Sequence, residues 1–261
     1  GIDAGNNYIA NVVNAGLIAG GTTGIVTTDN IFMFENAETG EIRGDLVGVE
    51  AGGTVSRFVN HGRITGIADY GLSVINGGLL LSSNEAGGVI FGGNYGLNLD
   101  GANLLGFTNA GLIAGGSDYG VSVNTGNLLD FTNGATGTVI GGTYGINVDA
   151  VGFYQVANLV NAGRITGNSN SGIFINNGDL DGLTNLATGL IDGGLYGVLV
   201  SGNLIDFTNA GVVAVEATTV GLIAGVQAGE LTNLANTGSI TVTNNGGGTG
   251  EAVRAVTITS L

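Results

Sequence analysis

The chain has 261 residues, of which 53 are glycine and none is proline or cysteine, and its formal net charge is −15. A content of 43% hydrophobic against 10% charged residues excludes a disordered chain, and the acidic balance argues against nucleic-acid binding. The lack of cysteine excludes disulfides and thiolate metal sites, and no apolar run approaches the ~20 residues that a membrane helix needs.

An asparagine recurs about every 24 residues along the whole sequence. The ten copies are Asn14, Asn36, Asn60, Asn84, Asn109, Asn133, Asn161, Asn185, Asn209 and Asn233. Their flanking residues recur in the same register, so the sequence predicts about ten rungs of a repeat protein that forms a single domain over residues 1–261. The first residues match the middle of a later rung and neither end resembles a cap, so we expect both ends to be cut within a rung.

Each of these asparagines follows, by two positions, a member of a mostly apolar column that we expect to be interior. The column contains Val12, Phe34, Phe58, Ser82, Phe107, Phe131, Leu159, Leu183, Phe207 and Leu231. The intervening residue, commonly threonine as at Thr108 and Thr232, is expected to face outward by the two-residue period of a strand. This segment predicts the first strand of each rung.

Two further strands complete the repeat. The segments 63–65 and 164–166, both Arg-Ile-Thr, indicate a second strand with its isoleucine inside and its arginine and threonine outside. We expect this isoleucine column to include Ile18, Ile113, Ile140 and Ile191. Segments such as 71–74 and 120–123 alternate apolar with small polar residues and indicate a third strand.

Three strands of four or five residues, joined by glycine- and asparagine-rich corners, predict an all-β fold. It is a triangular parallel β-helix, about 48 Å long for ten rungs at the ~4.8 Å strand spacing. Short Asn-X-Gly corners such as 109–111 alternate with longer ones such as 133–137, which indicates a structural unit of two rungs.

Two polar columns are interpreted as structural. The recurring asparagines share the phase of the interior residues, so we expect their amides to bond from rung to rung and to tolerate the backbone of a corner. A second column of tyrosines, each just before a glycine, has the same inward phase, and we expect it to fill a corner of the core rather than to bind a sugar. Its members are Tyr70, Tyr95, Tyr119, Tyr144 and Tyr196.

Asp179 and Asp181 are the residues closest to a catalytic pattern, because two carboxylates can flank a glycosidic bond as acid and base. They fall in a connector, however, and the outward Arg63 and Arg164 are four rungs apart, so we interpret both aspartates as solvated turn residues.

The sequence supports a metal site even less than a catalytic site. His61 is the single histidine and cannot form a metal site alone, and Asp100, Asp118 and Asp149 do not share one column that could bind calcium. The sequence therefore predicts no enzyme activity and no catalytic, cofactor-binding or metal-binding residue.

The segments 109–120 (Asn-Ala-Gly-Leu-Ile-Ala-Gly-Gly-Ser-Asp-Tyr-Gly) and 161–167 (Asn-Ala-Gly-Arg-Ile-Thr-Gly) resemble the repeats of autotransporter and related large-adhesin passenger domains. Those families carry many copies of an Asn-X-Gly-X-Ile-X-Gly pattern, and the resemblance covers essentially the whole chain. It implies a right-handed parallel β-helix that is exported and displayed at a bacterial surface, where it acts in adhesion or self-association.

The first functional hypothesis is therefore a structural or adhesive extracellular solenoid. Its expected partners are other copies of itself, or glycans or proteins of a host or cell surface, with no nucleic acid and no membrane insertion of this segment. The alternative is a protomer of an extracellular filament or layer whose rungs stack end to end. A polysaccharide-cleaving β-helix enzyme is the third and least supported hypothesis.

Overall fold

A computed structural model describes residues 1–152 and 154–259. Over these residues the chain is a parallel β-solenoid without any helix, and so without a helix that could cross a membrane. The strands are β1 (Ile2–Asp3), β2 (Val12–Asn14), β3 (Leu17–Gly20), β4 (Thr23–Thr27), β5 (Phe34–Asn36), β6 (Glu41–Gly44), β7 (Val47–Ala51), β8 (Phe58–Asn60), β9 (Arg63–Gly66), β10 (Tyr70–Ile75), β11 (Gly78–Asn84), β12 (Val89–Gly92), β13 (Tyr95–Asp100), β14 (Asn103–Asn109), β15 (Leu112–Gly115), β16 (Tyr119–Asn124), β17 (Leu128–Asn133), β18 (Thr138–Gly141), β19 (Tyr144–Asp149), β20 (Val156–Asn161), β21 (Arg164–Gly167), β22 (Ser171–Asn176), β23 (Leu180–Asn185), β24 (Leu190–Gly193), β25 (Tyr196–Val200), β26 (Asn203–Asn209), β27 (Val212–Ala217), β28 (Ile223–Asn236), β29 (Ser239–Asn244) and β30 (Gly250–Ile258).

The strands form three stacks that run along the solenoid axis. The first stack begins with β2, β5 and β8, the second with β3, β6 and β9, and the third with β1, β4 and β7, and each strand pairs in parallel with its equivalents in the adjacent rungs. Strand β28 passes from the third stack into the first without a break, so these two stacks form one 20-stranded sheet, whereas the second stack is a separate ten-stranded sheet. The predicted right-handed β-helix of about ten 24-residue rungs is confirmed.

A continuous apolar core fills the space between the three stacks. In the first-stack column the rings of Phe34 and Phe58 are stacked with centroids 4.8 Å apart, and those of Phe107 and Phe131 are stacked at 5.9 Å. Ser82 separates the two pairs, and its hydroxyl accepts the Phe58 backbone N–H at 3.1 Å. Each fully buried large apolar side chain of this kind contributes about 1.5–3 kcal/mol to folding.

An asparagine ladder runs beside this core at the corner between the first and second stacks. Its members are Asn14, Asn36, Asn60, Asn84, Asn109, Asn133, Asn161, Asn185, Asn209 and Asn236. Each Nδ2 donates to Oδ1 of the next asparagine at 2.7–2.9 Å, and it also donates to a backbone carbonyl of the next rung at 3.1–3.3 Å. The eight members from Asn36 to Asn209 are fully buried. The structural interpretation of the recurring asparagines is therefore confirmed.

The last member of the ladder is Asn236, so the predicted anchor Asn233 is wrong. Asn236 is in register with Asn209, and Leu234 takes the place in the apolar column that the sequence assigned to Leu231. Leu231 is buried in the neighbouring interior column of the same stack. The outward position between Leu234 and Asn236 is residue 235, and Thr232 also faces outward, in the neighbouring column that contains Asp181 and Ile205.

A left-handed bend in the first strand accounts for this error. Asp130, Asn158, Asp206 and Asn233 have φ between +52° and +59°, and each stands three residues before a ladder asparagine. Asn233 donates to Oδ1 of Asp206 at 2.7 Å, as Asn158 donates to Asp130 at 2.8 Å. Because asparagine tolerates positive φ, the same residue type occurs at the bend and in the ladder.

A second correction concerns the interior column of the second stack. Val139 fills that column between Ile113 and Ile165, and Ile140 faces outward, so the expectation for Ile140 is wrong. The corner before β18 has the same length as the corner before β24, and in both strands the second residue faces inward and the third faces outward, so an isoleucine at the third position lies outside. The other isoleucines assigned to the column, Ile18, Ile113 and Ile191, lie in it as expected.

The corner between the second and third stacks has two forms. In the first eight rungs it follows a glycine, such as Gly141 or Gly193, and contains two or three residues. In the last two rungs Val215 and Val242 take the place of that glycine, and the connections 218–222 and 245–249 are longer. A small second apolar cluster that includes Ile223 fills the wider corner.

Candidate functional surfaces

The tyrosine column lies on the outside of the third stack, so the expectation that it fills a corner of the core is wrong. Tyr70, Tyr95, Tyr119 and Tyr144 are half-buried, with successive ring centroids 5.1–5.3 Å apart and interplanar angles of 34–76°. Phe174 continues the row at 5.0 Å from Tyr144.

The glycine after each tyrosine explains this placement. A Cβ at Gly96 would lie 2.8 Å from the side chain of Ile113, so the glycine and not the preceding tyrosine meets the core at this corner. The two-residue period that holds within the strand therefore does not extend backward through the corner to Tyr95.

The tyrosine row forms one wall of an open groove on the outer surface of the third stack, with a volume of about 290 Å³. We call it the tyrosine groove. Its lining residues are Tyr70, Tyr95 and Tyr119 on one wall, Asn98, Ser122 and Asn147 on the floor, and Asp100, Asn124 and Asp149 on the other wall. The groove therefore runs along the solenoid axis over about four rungs.

The far wall is an ordered column of alternating acid and amide. Asp100, Asn124 and Asp149 are in register, and Asn124 donates to Oδ1 of Asp100 at 2.9 Å. Asp149 accepts from Asn177 at 2.9 Å. Asp100, Asp118 and Asp149 do not share one column, as expected, but Asp100 and Asp149 do, while Asp118 lies beside the tyrosine wall.

Burial raises the pKa of Tyr95 to about 12, and the nearby carboxylate of Asp118 adds to the effect. Burial also raises the pKa of Tyr70, Tyr119 and Tyr144. These phenols are therefore neutral near pH 7 and can donate hydrogen bonds.

The outer surface of the second stack is the other extended candidate, and we call it the second-stack face. Its first outward column is Leu17, Glu41, Arg63, Val89, Leu112, Thr138, Arg164, Leu190, Val212 and Ser239. Its second is Ala19, Arg43, Thr65, Phe91, Ala114, Ile140, Thr166, Asp192, Ala214 and Thr241. Half of these positions carry apolar side chains, and Leu17 is 66% exposed.

The second-stack face is nearly neutral in a strongly acidic molecule. Its two columns carry three of the five arginines, Arg43, Arg63 and Arg164, but two of the 20 acidic residues, Glu41 and Asp192, and Glu216 lies beyond these columns near the end of β27. The formal charge of the two columns is therefore +1, against −15 for the whole chain. A surface ion pair joins Arg164 to Asp192 at 3.5 Å.

Of the two aspartates Asp179 and Asp181, the first has a structural role at a corner. Oδ1 of Asp179 accepts the backbone N–H of Asn203 at 2.6 Å, across the corner between the third and first stacks. Asn103 accepts the N–H of Asn127 in the same way at 2.9 Å. Asp181 is exposed within strand β23 of the first stack, so the expectation that it is a turn residue in a connector is wrong.

The remaining predicted residues are not brought together. His61 is half-buried at a first corner, and Arg63 and Arg164 lie in one column but are four rungs apart, as expected. Within residues 1–152 and 154–259, no three His, Cys, Asp or Glu side chains form a cluster that could hold a metal ion.

Sequence reasoning missed both surfaces described above. The signal for the second-stack face was present, because apolar residues recur at outward positions of the second strand, as at Val89, Phe91 and Leu112. The tyrosine groove could not be found in this way, since its walls depend on how the chain turns at each corner.

Comparisons with protein-family models, with curated proteins and with solved structures found no match. Functional inference for this chain therefore depends on its own surfaces.

Proposed function

We propose that this chain is a structural and adhesive β-solenoid displayed on a bacterial surface, and that it acts by self-association. The observation that carries the proposal is the nearly neutral, apolar second-stack face on a chain of formal charge −15. The occupant that suits this face best is a second copy of the same chain.

The distribution of charge favours contact between two copies through the second-stack face. The rest of each molecule holds 18 acidic residues and two arginines, so contacts through any other surface bring like charges together. The second-stack face has a formal charge of +1 and exposes apolar side chains, which favour burial. A shallow apolar hollow of about 520 Å³ lies next to Val89 and Leu112 at its edge.

An antiparallel pair related by a two-fold axis between the fifth and sixth rungs makes the face self-complementary. Leu112 of one copy then faces the rung of Ile140 in the other, which places apolar residues at the centre. Arg63 in the third rung faces the rung of Asp192 in the eighth, so opposite charges meet twice, once on each side of the axis.

The area of the second-stack face sets the expected stability of the dimer. Ten rungs at ~4.8 Å and four residues at ~3.3 Å give a projected area of roughly 600 Å² per copy. The total is just above the ~1,000 Å² that a specific interface requires, so we expect a dimer that dissociates on dilution.

Sedimentation velocity across a concentration series tests the proposal. Wild-type protein is expected to form dimers that strengthen with salt, because salt screens the repulsion between two acidic molecules. Leu112→Asp should give monomers, since it places a charge at the centre of the interface. The matched control is Thr108→Asp, which adds the same charge to the exposed first-stack surface of the same rung and should leave the dimer intact.

A monomer at every concentration, or equal loss of dimer in both variants, would contradict the proposal. Negative-stain electron microscopy of the same samples separates it from end-to-end assembly. Long fibres that persist in Leu112→Asp would favour stacking of rungs, in which strand edges and not the second-stack face make the contact.

A further inference from the structure

We propose that the tyrosine groove binds a linear, uncharged oligosaccharide that lies along the solenoid axis. This inference goes beyond self-association, because the groove lies on the third stack and the proposed dimer contact lies on the second. It rests on the shape of the groove, the chemistry of its walls and its charge.

The groove is open and runs along the solenoid axis, and its two walls stand at opposite ends of the same strands. Tyr95 and Asp100 are at opposite ends of strand β13, so the two walls are separated by roughly 16 Å along the strand direction. Parallel to the axis, equivalent side chains repeat at each rung from Tyr70 to Asp149. A ligand with a repeating unit can therefore make similar contacts on several rungs.

The two walls offer the two kinds of contact that a sugar ring makes. One wall can contact its C–H groups, and the other can form hydrogen bonds with its hydroxyls. The tyrosine wall presents tilted aromatic rings with polar tips, which can contact C–H groups while the hydroxyls bond to water or ligand. The opposite wall presents carboxylate and amide groups from Asp100, Asn124 and Asp149, which can accept from and donate to neighbouring hydroxyls. Sites for small molecules commonly combine an apolar surface with a few placed polar groups.

The floor adds hydrogen-bonding groups at depth. Asn98, Ser122 and Asn147 point away from the core, and Ser122 and Asn147 are nonetheless only 4% and 9% exposed. Asn98 makes a long contact of 3.5 Å to Ser73. These side chains lie beneath the two walls.

The charge of the groove selects among polysaccharides. Asp100 and Asp149 belong to it, Asp69 and Asp118 lie beside its tyrosine wall, and none of the described residues that line it is basic. Uronic-acid and sialic-acid polymers are therefore repelled, and neutral polymers are not.

Isothermal titration calorimetry with neutral hexasaccharides tests the inference. The probes are cellohexaose, maltohexaose, xylohexaose and N-acetylchitohexaose, with a galacturonate hexamer as the anionic probe. At least one neutral hexamer is expected to bind more tightly than its own disaccharide, and the galacturonate hexamer is expected not to bind. Tyrosine fluorescence gives a second readout, because the chain has seven tyrosines and no tryptophan.

Variants assign the binding to the groove. Tyr95→Ala is expected to weaken binding about tenfold, whereas Tyr95→Phe, which keeps the ring, should retain most of the affinity. Tyr196→Ala is the matched control, because Tyr196 stands in the same column but outside the groove, and it should bind like the wild type. Circular dichroism of each variant checks that the fold is retained.

Three results would overturn the inference: no neutral hexamer binds at millimolar concentration, the galacturonate hexamer binds as well as the neutral ones, or Tyr95→Ala and Tyr196→Ala bind equally. Sedimentation of the same samples keeps this outcome separate from the self-association proposal. A chain that dimerises without binding sugar would refute the groove alone.

Discussion

The narrow and wide forms of the corner between the second and third stacks show what keeps the solenoid regular. In the first eight rungs a glycine closes the second strand, and a Cβ at Gly141 would overlap the carbonyl oxygen of Tyr144. In the last two rungs Val215 and Val242 occupy that position, and the chain swings outward around a separate apolar cluster. One missing Cβ thus determines whether the third strand lies tight against the second.

The tyrosine row depends on the same corner. Tyr196 is followed in its column by Ala224 and then Glu251, in the two rungs where the corner is wide. The row, and with it the groove, is therefore confined to the narrow part of the molecule. The comparison also predicts that equivalent substitutions have different effects in the two regions.

The largest effect is expected at the corner glycine. Gly141→Val should abolish cooperative folding or lower the free energy of unfolding by more than about 4 kcal/mol, because the backbone must move to avoid the overlap. Val215→Ala, at the equivalent position of the wide corner, should cost about 2 kcal/mol for the lost methyl groups. Thermal melts followed by circular dichroism measure both, and similar melting temperatures for the two variants would contradict this account of the corner.

In the asparagine ladder, substitutions of a buried member and of an exposed member should differ less in their effect on the free energy of unfolding. Asn109 is fully buried and bonds to both neighbouring rungs, so Asn109→Ala leaves unsatisfied groups and should cost about 3 kcal/mol. Asn236 is exposed, so Asn236→Ala should cost less than about 1 kcal/mol. Chemical denaturation measures the difference, and an equal cost at both sites would show that burial does not set the strength of the ladder.

Amide hydrogen exchange should be faster in the rungs with the wide corner than in those with the narrow corner. Two of the six residues of β29 are exposed and the rest are half-buried, whereas β15 and β18 each contain two buried positions. We expect the amides of β29 to exchange at least about tenfold faster than those of β15, since local opening is easier where fewer apolar groups are buried. Mass spectrometry of peptic fragments tests this, and uniform protection along the second stack would contradict it.

The smallest effect is expected from alkaline pH. The folded chain holds the Tyr95 proton up to a pKa of about 12, whereas an unfolded tyrosine loses it near 10. Between these values the unfolded state binds fewer protons, so stability falls as pH rises from about 10 to about 12. Tyr95→Phe should reduce the slope of stability against pH in this range, and an unchanged slope would show that the row does not titrate as described.

Two residues, Asn233 and Ile140, show most clearly which placements could not be predicted from the sequence. Asn233 and Ile140 have the right chemistry for the columns to which they were assigned, and each is displaced by its neighbours, Asn236 and Val139. Before Asn233 the rung is longer, because of the wider corner. Ile140 instead stands at the third position of its strand, which faces outward, while Val139 takes the inward second position. Register after an irregular connection depends on pairing with the previous rung, which residue type alone does not report.

The sequence by itself determined the three-stranded rung, the period near 24 residues, the asparagine ladder and the apolar core. It could do so because the two-residue period of a strand and the recurrence of glycine and asparagine are local properties. Only the tertiary structure decided that the tyrosines lie outside and form a groove, and which outward residues of the second strands align in each column of the second-stack face. Both depend on how each strand turns at its corners and on which side chains of different rungs become neighbours.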